Sequence, residues 1–375
     1  MKNTFKRVLA VVMIAAMLAT ALCFAGCGNN QSKDTYFIGA TGPLTGGAAD
    51  YGIAVDNGAK LAVEEINAAG GLNGVLFTYE MKDDKATAAD AKSGYNALID
   101  AGMQISIGSV TSDSCEAFAT ESLKDNLFFI TPSASAANVI ADRPNAFRVC
   151  FGDPDQGILA AQDLAANFEK IGAIYDTSDS YSTGIYEAFQ TEMANLGKTY
   201  EVRTFDKDNN KDFSAQVEAL KDCDVIFLPF YYTEAGLVAK TCAAKGCDAV
   251  LYGCDGLDGI AAQIDESVTN SIKYITPFDV NATDEKTANF VKKYREAYGK
   301  DPSQFAADGY DAVYVIYEAM KAAGVNDVNI SASDLCNKVV AAITAEGFSY
   351  VGTTGTMTWD ASGAATKVPV IVELQ

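Results

Sequence analysis

The sequence predicts an α/β protein of two lobes that face each other across a cleft. Three observations carry this. Short apolar runs alternate with helical stretches from Thr35 onward, a second block of the same rhythm begins near Lys170, and an extra helical segment comes after Asp279. Apolar runs of strand length set between helices mark βαβ units and therefore parallel sheets. A chain of 375 residues is long enough for about two domains.

The first residues stand apart from that fold. "MKNTFKR" is basic, and "VLAVVMIAAMLATALCFAG" is apolar and ends in small residues, the pattern of a secretory signal over residues 1–26. Phe24-Ala25-Gly26-Cys27 resembles a lipoprotein cleavage box, with Phe24 in the place where Leu is usual. Cys27 is the expected lipidation site. Residues 27–34 give a polar tether without hydrophobic anchors.

In the first block the expected strands are "TYFIGA" (35–40), "VLFTYEM" (75–81), "QISIGS" (104–109) and "LFFIT" (127–131). Between them lie "DYGIAVDNGAKLAVEEINAAGG", "TAADAKSGYNALIDAG" and "SDSCEAFATESLKDN", each with apolar residues at three- and four-residue spacing. Gly70-Gly71 and Gly102 fit helix stops. In the second block "KIGAIYD" (170–176), "TYEVRTFD" (199–206), "DVIFLPF" (224–230), "DAVLYG" (248–253) and "IKYITPF" (272–278) alternate with three further helical stretches. Three helices come after Asp279, and "GTTGTMTWDASGAATKVPVIVEL" reads as terminal strands.

Composition excludes several functions. The formal charge is −21, and removing a leader that holds Lys2, Lys6 and Arg7 but no acid makes the remainder more acidic still. Such a surface repels phosphate backbones, so nucleic acid is not a partner. Histidine is absent, which removes the commonest general base and metal ligand. With Cys23 in the leader and Cys27 lipidated, Cys115, Cys150, Cys223, Cys242, Cys247, Cys254 and Cys336 remain; an odd set is a poor disulfide framework and packs as small hydrophobes. "LGKT" at 196–199 lacks the glycine a phosphate loop needs, having Glu192 there. "DKDNNKD" at 206–212 has Lys211 and Val217 where a calcium loop needs Gly and Glu. Cys242, Cys247 and Cys254 are misspaced for zinc, and no nucleophile elbow occurs. No cofactor is implied.

Ligands of parallel α/β sheets sit at the carboxyl ends of the strands. The segments just past the strands hold hydroxyls, aromatics and one carboxylate: Tyr51, Ser112, Ser133 and Ser135 in the first block; Tyr181, Tyr231 and Asp255 in the second. Ser112 opens a helix, where free N–H groups favour an anion. Ser133, Ser135 and Asp255 offer acceptors to an ammonium, and the tyrosines offer walls for a hydrocarbon chain. Taken singly, Ser112 is equally an N-cap and Ser133 and Ser135 equally turn residues, while each Tyr alone reads better as packing and Asp255-Gly256 alone as a plain turn. Their shared placement after strands favours a site for a zwitterion with an apolar tail.

The chain resembles the substrate-binding lipoproteins of branched-chain amino-acid ABC transporters, the Leu/Ile/Val-binding type of periplasmic-binding protein. The resemblance lies in "IGATGPLTGGAADYGIAVDNGAKLAVEEINAAGGLNG", "IGSVTSDSCEAFA", "FFITPSASA" and "FAADGYDAVYVIYEAM", and spans the chain after the leader. It implies two doubly wound parallel-sheet lobes joined by a three-crossover hinge: lobe 1 from 35–153 with 279–347, lobe 2 from 154–278 with 348–375. By the family pattern Ser112 and Ser135 bind the carboxylate and ammonium ends, helped by backbone of the Ser133–Ala134 segment. Asp255 takes the acidic position that holds the ammonium, where relatives often have Glu. Tyr51, Tyr181 and Tyr231 match cleft aromatics. The loop disulfide of some relatives is missing, since Lys85 and Thr111 lie near the expected places. The implied protein is a monomer that is anchored by lipid to the outer face of the cell membrane, performs no chemistry, and hands a free amino acid to an ABC permease. A sensor working with a separate signalling partner is the alternative reading.

Overall fold

The computed structural model describes residues 33–374; the expected leader 1–26, Cys27 and the tether as far as residue 32 lie outside the described residues. Two sheets dominate. The first contains β1 (Thr35–Gly42), β2 (Leu76–Asp83), β3 (Ile105–Ser106), β4 (Phe129–Thr131) and β5 (Ala146–Arg148), all parallel, in the order β2-β1-β3-β4-β5. The second contains β6 (Ile171–Asp176), β7 (Glu201–Phe205), β8 (Val225–Leu228), β9 (Val250–Gly253) and β10 (Ile272–Thr276) in parallel. Strand β13 (Val370–Glu373) adds to β10 antiparallel at one edge, and β7 forms the other. The inner strands are buried on both faces, as parallel sheets require: Phe129 and Ile130 of β4, with Leu127 and Phe128 before them, are fully inaccessible.

Both sheets are wound from the inside out. The chain runs from β1 outward to β2 and returns to β3 on the other side; it repeats the move with β6, β7 and β8. Each reversal opens a crevice at the carboxyl ends of its strands, which is where a ligand fits in such sheets. Helices α1 (Ala49–Ala68), α2 (Ala88–Asp100) and α3 (Ser112–Asp125) make the connections of the first sheet. Helices α4 (Asp153–Asn167), α5 (Ser180–Asn195), α6 (Ser214–Leu220) and α7 (Tyr232–Lys245) serve the second. Helices α8 (Glu285–Tyr298), α9 (Gln304–Ala322) and α10 (Ala332–Ile343) return to the first sheet's side. Helix α9 lies so close along α1 that a Cβ on Gly58 would meet the Ala306 carbonyl at 1.9 Å, and one on Gly309 the Val55 carbonyl at 2.6 Å. Only glycine allows that approach.

The chain crosses between the sheets after β5, after β10 and before β13. The crossings are fastened to one another. The Trp359 indole N–H donates to the Arg148 carbonyl at 2.7 Å, and the Arg148 amide to the Gly363 carbonyl at 3.0 Å. Lys367 and Asp308 form a 2.8 Å ion pair that is almost wholly buried. Here the structure differs from the division that places all of 348–375 in the second lobe. The hairpin of β11 (Tyr350–Gly352) and β12 (Gly355–Met357) hangs on the buried Asp311 of α9, whose carboxylate accepts from the Thr353 and Thr354 amides at 2.9 and 3.0 Å and the Thr354 hydroxyl at 2.7 Å. From this segment, β13 alone joins the second sheet. A buried carboxylate needs such donors, and these loop amides supply them.

The cysteines Cys115, Cys150, Cys223, Cys242, Cys247, Cys254 and Cys336 are all free, and all but the half-buried Cys223 are buried. In place of a loop disulfide, carboxylates stitch the β2–α2 turn. Asp83 accepts from the Leu44, Thr45 and Lys85 amides at 2.9, 3.3 and 3.0 Å, and Asp84 from the Ala86 amide at 2.9 Å and the Ser109 hydroxyl at 2.6 Å.

Candidate functional site

The crevices of the two sheets face each other. Tyr51, Val110, Thr111, Ser112, Ser133, Tyr181, Tyr231, Asp255, Gly256 and Phe305 line a narrow cavity between them.

The first lobe meets this space with the start of α3. Thr111 is extended (φ −94°, ψ 152°) and caps no amide of the helix with its side chain. Its hydroxyl, although buried, has no partner among the described residues. The Ser112 hydroxyl accepts from the Ala136 amide at 3.2 Å, which leaves its proton to donate. Uncapped first-turn amides and spare hydroxyls form a neutral receptor for an anion. The Ser133 hydroxyl donates to the Val110 carbonyl at 2.7 Å, and Thr131 bridges the Ser109 carbonyl and the Ala134 amide at 2.7 and 3.0 Å, so the loops after β3 and β4 move as one.

Ala134 and Ser135 do not line the cavity. The Ser135 carbonyl accepts from the Arg148 guanidinium and, at 3.0 Å, from the Asp153 amide, and its hydroxyl is buried without a partner among the described residues. Both residues stand a layer behind Ser133, beside the first crossover.

The second lobe presents rings and one acid. Tyr181 and Tyr231 stack with centroids 5.1 Å apart; Tyr231 meets Tyr51 edge-on at 5.6 Å, and Tyr51 stacks on Phe305 at 4.1 Å. Burial pushes all three phenols well above their ordinary range, so they stay protonated donors. Asp255 is 4% exposed and takes the Tyr181 hydroxyl on Oδ1 at 2.7 Å. Burial raises its carboxyl to about 6, against the opposing pull of the Tyr181 and Gln156 side chains.

The backbone under this acid is held at every polar group. The Asp255 amide donates to Gln156 Oε1 at 3.0 Å, and its carbonyl accepts from Gln304 Nε2 at 3.0 Å. The Gly256 amide donates to the Tyr181 hydroxyl oxygen at 2.8 Å, and its carbonyl accepts from the Tyr51 hydroxyl.

Known proteins share this fold. The model of a family of periplasmic binding proteins matches residues 35–368. The chain belongs to that family. A leucine-, isoleucine-, valine-, threonine- and alanine-binding protein of Pseudomonas aeruginosa is 30% identical to this binding protein over 324 residues, 83% of this chain and 84% of the other. A leucine-binding protein of Thermotoga maritima superposes with a TM-score of 0.82 at 26% identity, covering 91% of this chain and 96% of that one. A branched-chain amino-acid transporter substrate-binding protein of Streptococcus pneumoniae, solved with isoleucine, gives a TM-score of 0.77 at 28% identity, covering 91% and 100%.

In this binding protein the lobes touch around the cavity. The Thr233 hydroxyl donates to the Gly47 carbonyl at 2.7 Å, the Asp50 amide to the Tyr232 hydroxyl at 3.3 Å, and the Ser180 amide to Asp113 at 3.3 Å. Of the residues singled out in the sequence, Tyr51, Ser112, Ser133, Tyr181, Tyr231 and Asp255 share the cavity. Sequence reasoning missed Val110, Thr111, Gly256 and Phe305 as walls. The first three flank residues it did select, so loop position alone could have flagged them. Phe305 succeeds no strand; it enters from the first turn of α9.

Proposed function

We infer that this binding protein captures a free amino acid with an aliphatic side chain, leucine, isoleucine or valine, and delivers it to the permease of an ABC transporter. The observation that carries the reading is the polarity of one small cavity. An uncapped helix start with spare hydroxyls forms one side, a single buried carboxylate the other, and aromatic rings close the space. An α-carboxylate suits the Thr111–Ser112 end, an ammonium suits Asp255, and a hydrocarbon chain suits Tyr51, Tyr231 and Phe305. The ligands named for the Pseudomonas and Streptococcus relatives have this chemistry. Ser135 and Ala134 support the site from behind.

Burying a leucine-sized side chain contributes about 1.5–3 kcal/mol, and charge-assisted bonds at the two ends about 1.5–3 kcal/mol each. Lost freedom offsets part of this. No bond of the ligand is made or broken. The protein works as a monomer, held at the outer face of the cell membrane by lipid on Cys27.

Thermal-shift screening of the chain from Ser32 onward against free amino acids tests the reading. Leucine, isoleucine or valine raises the melting temperature, and calorimetry returns one ligand per chain. A screen in which no amino acid shifts the transition overturns the reading, as does turnover of the added ligand.

A further inference from the structure

Asp255 and Gly256 form a dipeptide whose four main-chain polar groups are all engaged by side chains. Two of these side chains, Tyr51 and Tyr181, also line the cavity. The other two, Gln156 and Gln304, do not. Their engagement is directional: the Asp255 amide points into the second lobe, to Gln156 on α4, while its carbonyl points across to Gln304 on α9.

Gln304 is buried to 1% exposure and uses every group it has at this junction. Its side-chain amide donates to the Asp255 carbonyl at 3.0 Å. Its Oε1 accepts from the Thr276 hydroxyl at 2.7 Å, and its main-chain amide donates to Asp258 Oδ2 at 2.8 Å. Thr276 ends β10 at the second crossover, and Asp258 closes the turn that begins at Asp255. The next residue, Phe305, is a wall of the cavity. One residue therefore ties together the acid's turn, a crossover, and the helix that supplies a wall.

We propose that Gln304 is a positioning residue for Asp255, fixing the backbone on which the acid is mounted and so setting the grip on the cationic end of the ligand. The proposal rests on the amino-acid reading above. A carboxylate that faces an ammonium in a dry cavity gains from the contact only if it is held in place beforehand. Tyr181 anchors the carboxylate itself, and Gln304 anchors its backbone from the opposite lobe. Thr276 orients the Gln304 amide, so that Nε2 rather than Oε1 faces the carbonyl.

The test compares three ligands by calorimetry: leucine, leucine amide, which lacks the carboxylate, and 4-methylpentanoate, which lacks the ammonium. In Gln304→Met, leucine and leucine amide weaken about tenfold while 4-methylpentanoate changes less than about twofold. A 4-methylpentanoate signal too weak to register in both proteins counts as unchanged. Thr276→Val moves the same two ligands in the same direction by a smaller factor, and its pattern decides if Gln304→Met does not fold. Equal losses for all three ligands, or no loss, overturn the proposal while leaving the amino-acid reading intact. A parent that binds neither leucine, isoleucine nor valine overturns that reading and the proposal with it.

Discussion

The two walls of the cavity are built by opposite means. The first lobe lines the cavity with a helix start, hydroxyls and the rings of Tyr51 and Phe305, places no charged side chain on it, and keeps hydrogen-bonding capacity in reserve at Thr111 and Ser112. The second contributes a carboxylate whose surroundings are already committed, with the Asp255–Gly256 backbone fully engaged and Oδ1 held by Tyr181. The difference teaches where rigidity is needed. A helix start receives an anion with several parallel amides, so small displacements cost little. A lone carboxylate has no such redundancy, and its position must be fixed by other residues.

If this contrast is right, damage to the second wall outweighs damage to the first. Asp255→Asn keeps the shape and removes the charge; leucine affinity falls by about 2–5 kcal/mol in calorimetry, because the ammonium is left buried without a counter-charge. Phe305→Ala comes next. A larger groove adjoins the cavity and shares Tyr51 and Phe305 as walls, so removing the ring opens one space into the other. Leucine weakens by about 1.5–3 kcal/mol, and phenylalanine gains relative to leucine in the same titrations.

The pH dependence sharpens the contrast further, with a sign that differs between the free and the loaded protein. Burial, aided by repulsion from Asp113 and Asp176, raises Asp179 to about 7 against the pull of its bond from the Ser182 amide; burial raises Asp255 and Asp258 to about 6. Folded-state values above the ordinary carboxylate value mean that the folded chain holds protons more tightly than the unfolded one. The ligand-free protein is therefore most stable near pH 4 with respect to these groups, and it loses that stability as pH rises through about 6 to 7. Leucine needs Asp255 ionised, so its affinity is level above about pH 7 and falls toward tenfold per unit below about 6. Melting temperatures with and without leucine between pH 4 and 8 check both slopes. Ser112→Ala has the smallest effect, about 0.5–1.5 kcal/mol on leucine affinity, since the helix amides remain.

Much of this architecture is legible in the amino-acid order. β1, β3, β4, β6, β8 and β9 lie in the apolar runs, and the segments that follow them delivered six of the ten cavity residues. β5 (Ala146–Arg148) escaped because its buried Arg148 breaks the apolar run around it. Helix α4 escaped because its buried face is built from alanines and glycine, among them Gly157, Ala160 and Ala161, whose small side chains blur an apolar period. Phe305, Gln156 and Gln304 escaped for a different reason. They lie at helix starts far along the chain from the strand ends they serve, and only the crossovers bring them there.

The crossovers also carry the protein's single tryptophan, Trp359, 7% exposed and bonded through its indole to the backbone of the first crossing. Any bending at that junction alters the surroundings of a chromophore that occurs nowhere else in the chain. Ligand uptake can thus be followed by intrinsic emission, without a dye, and substitutions among the cleft tyrosines leave the reporter itself in place.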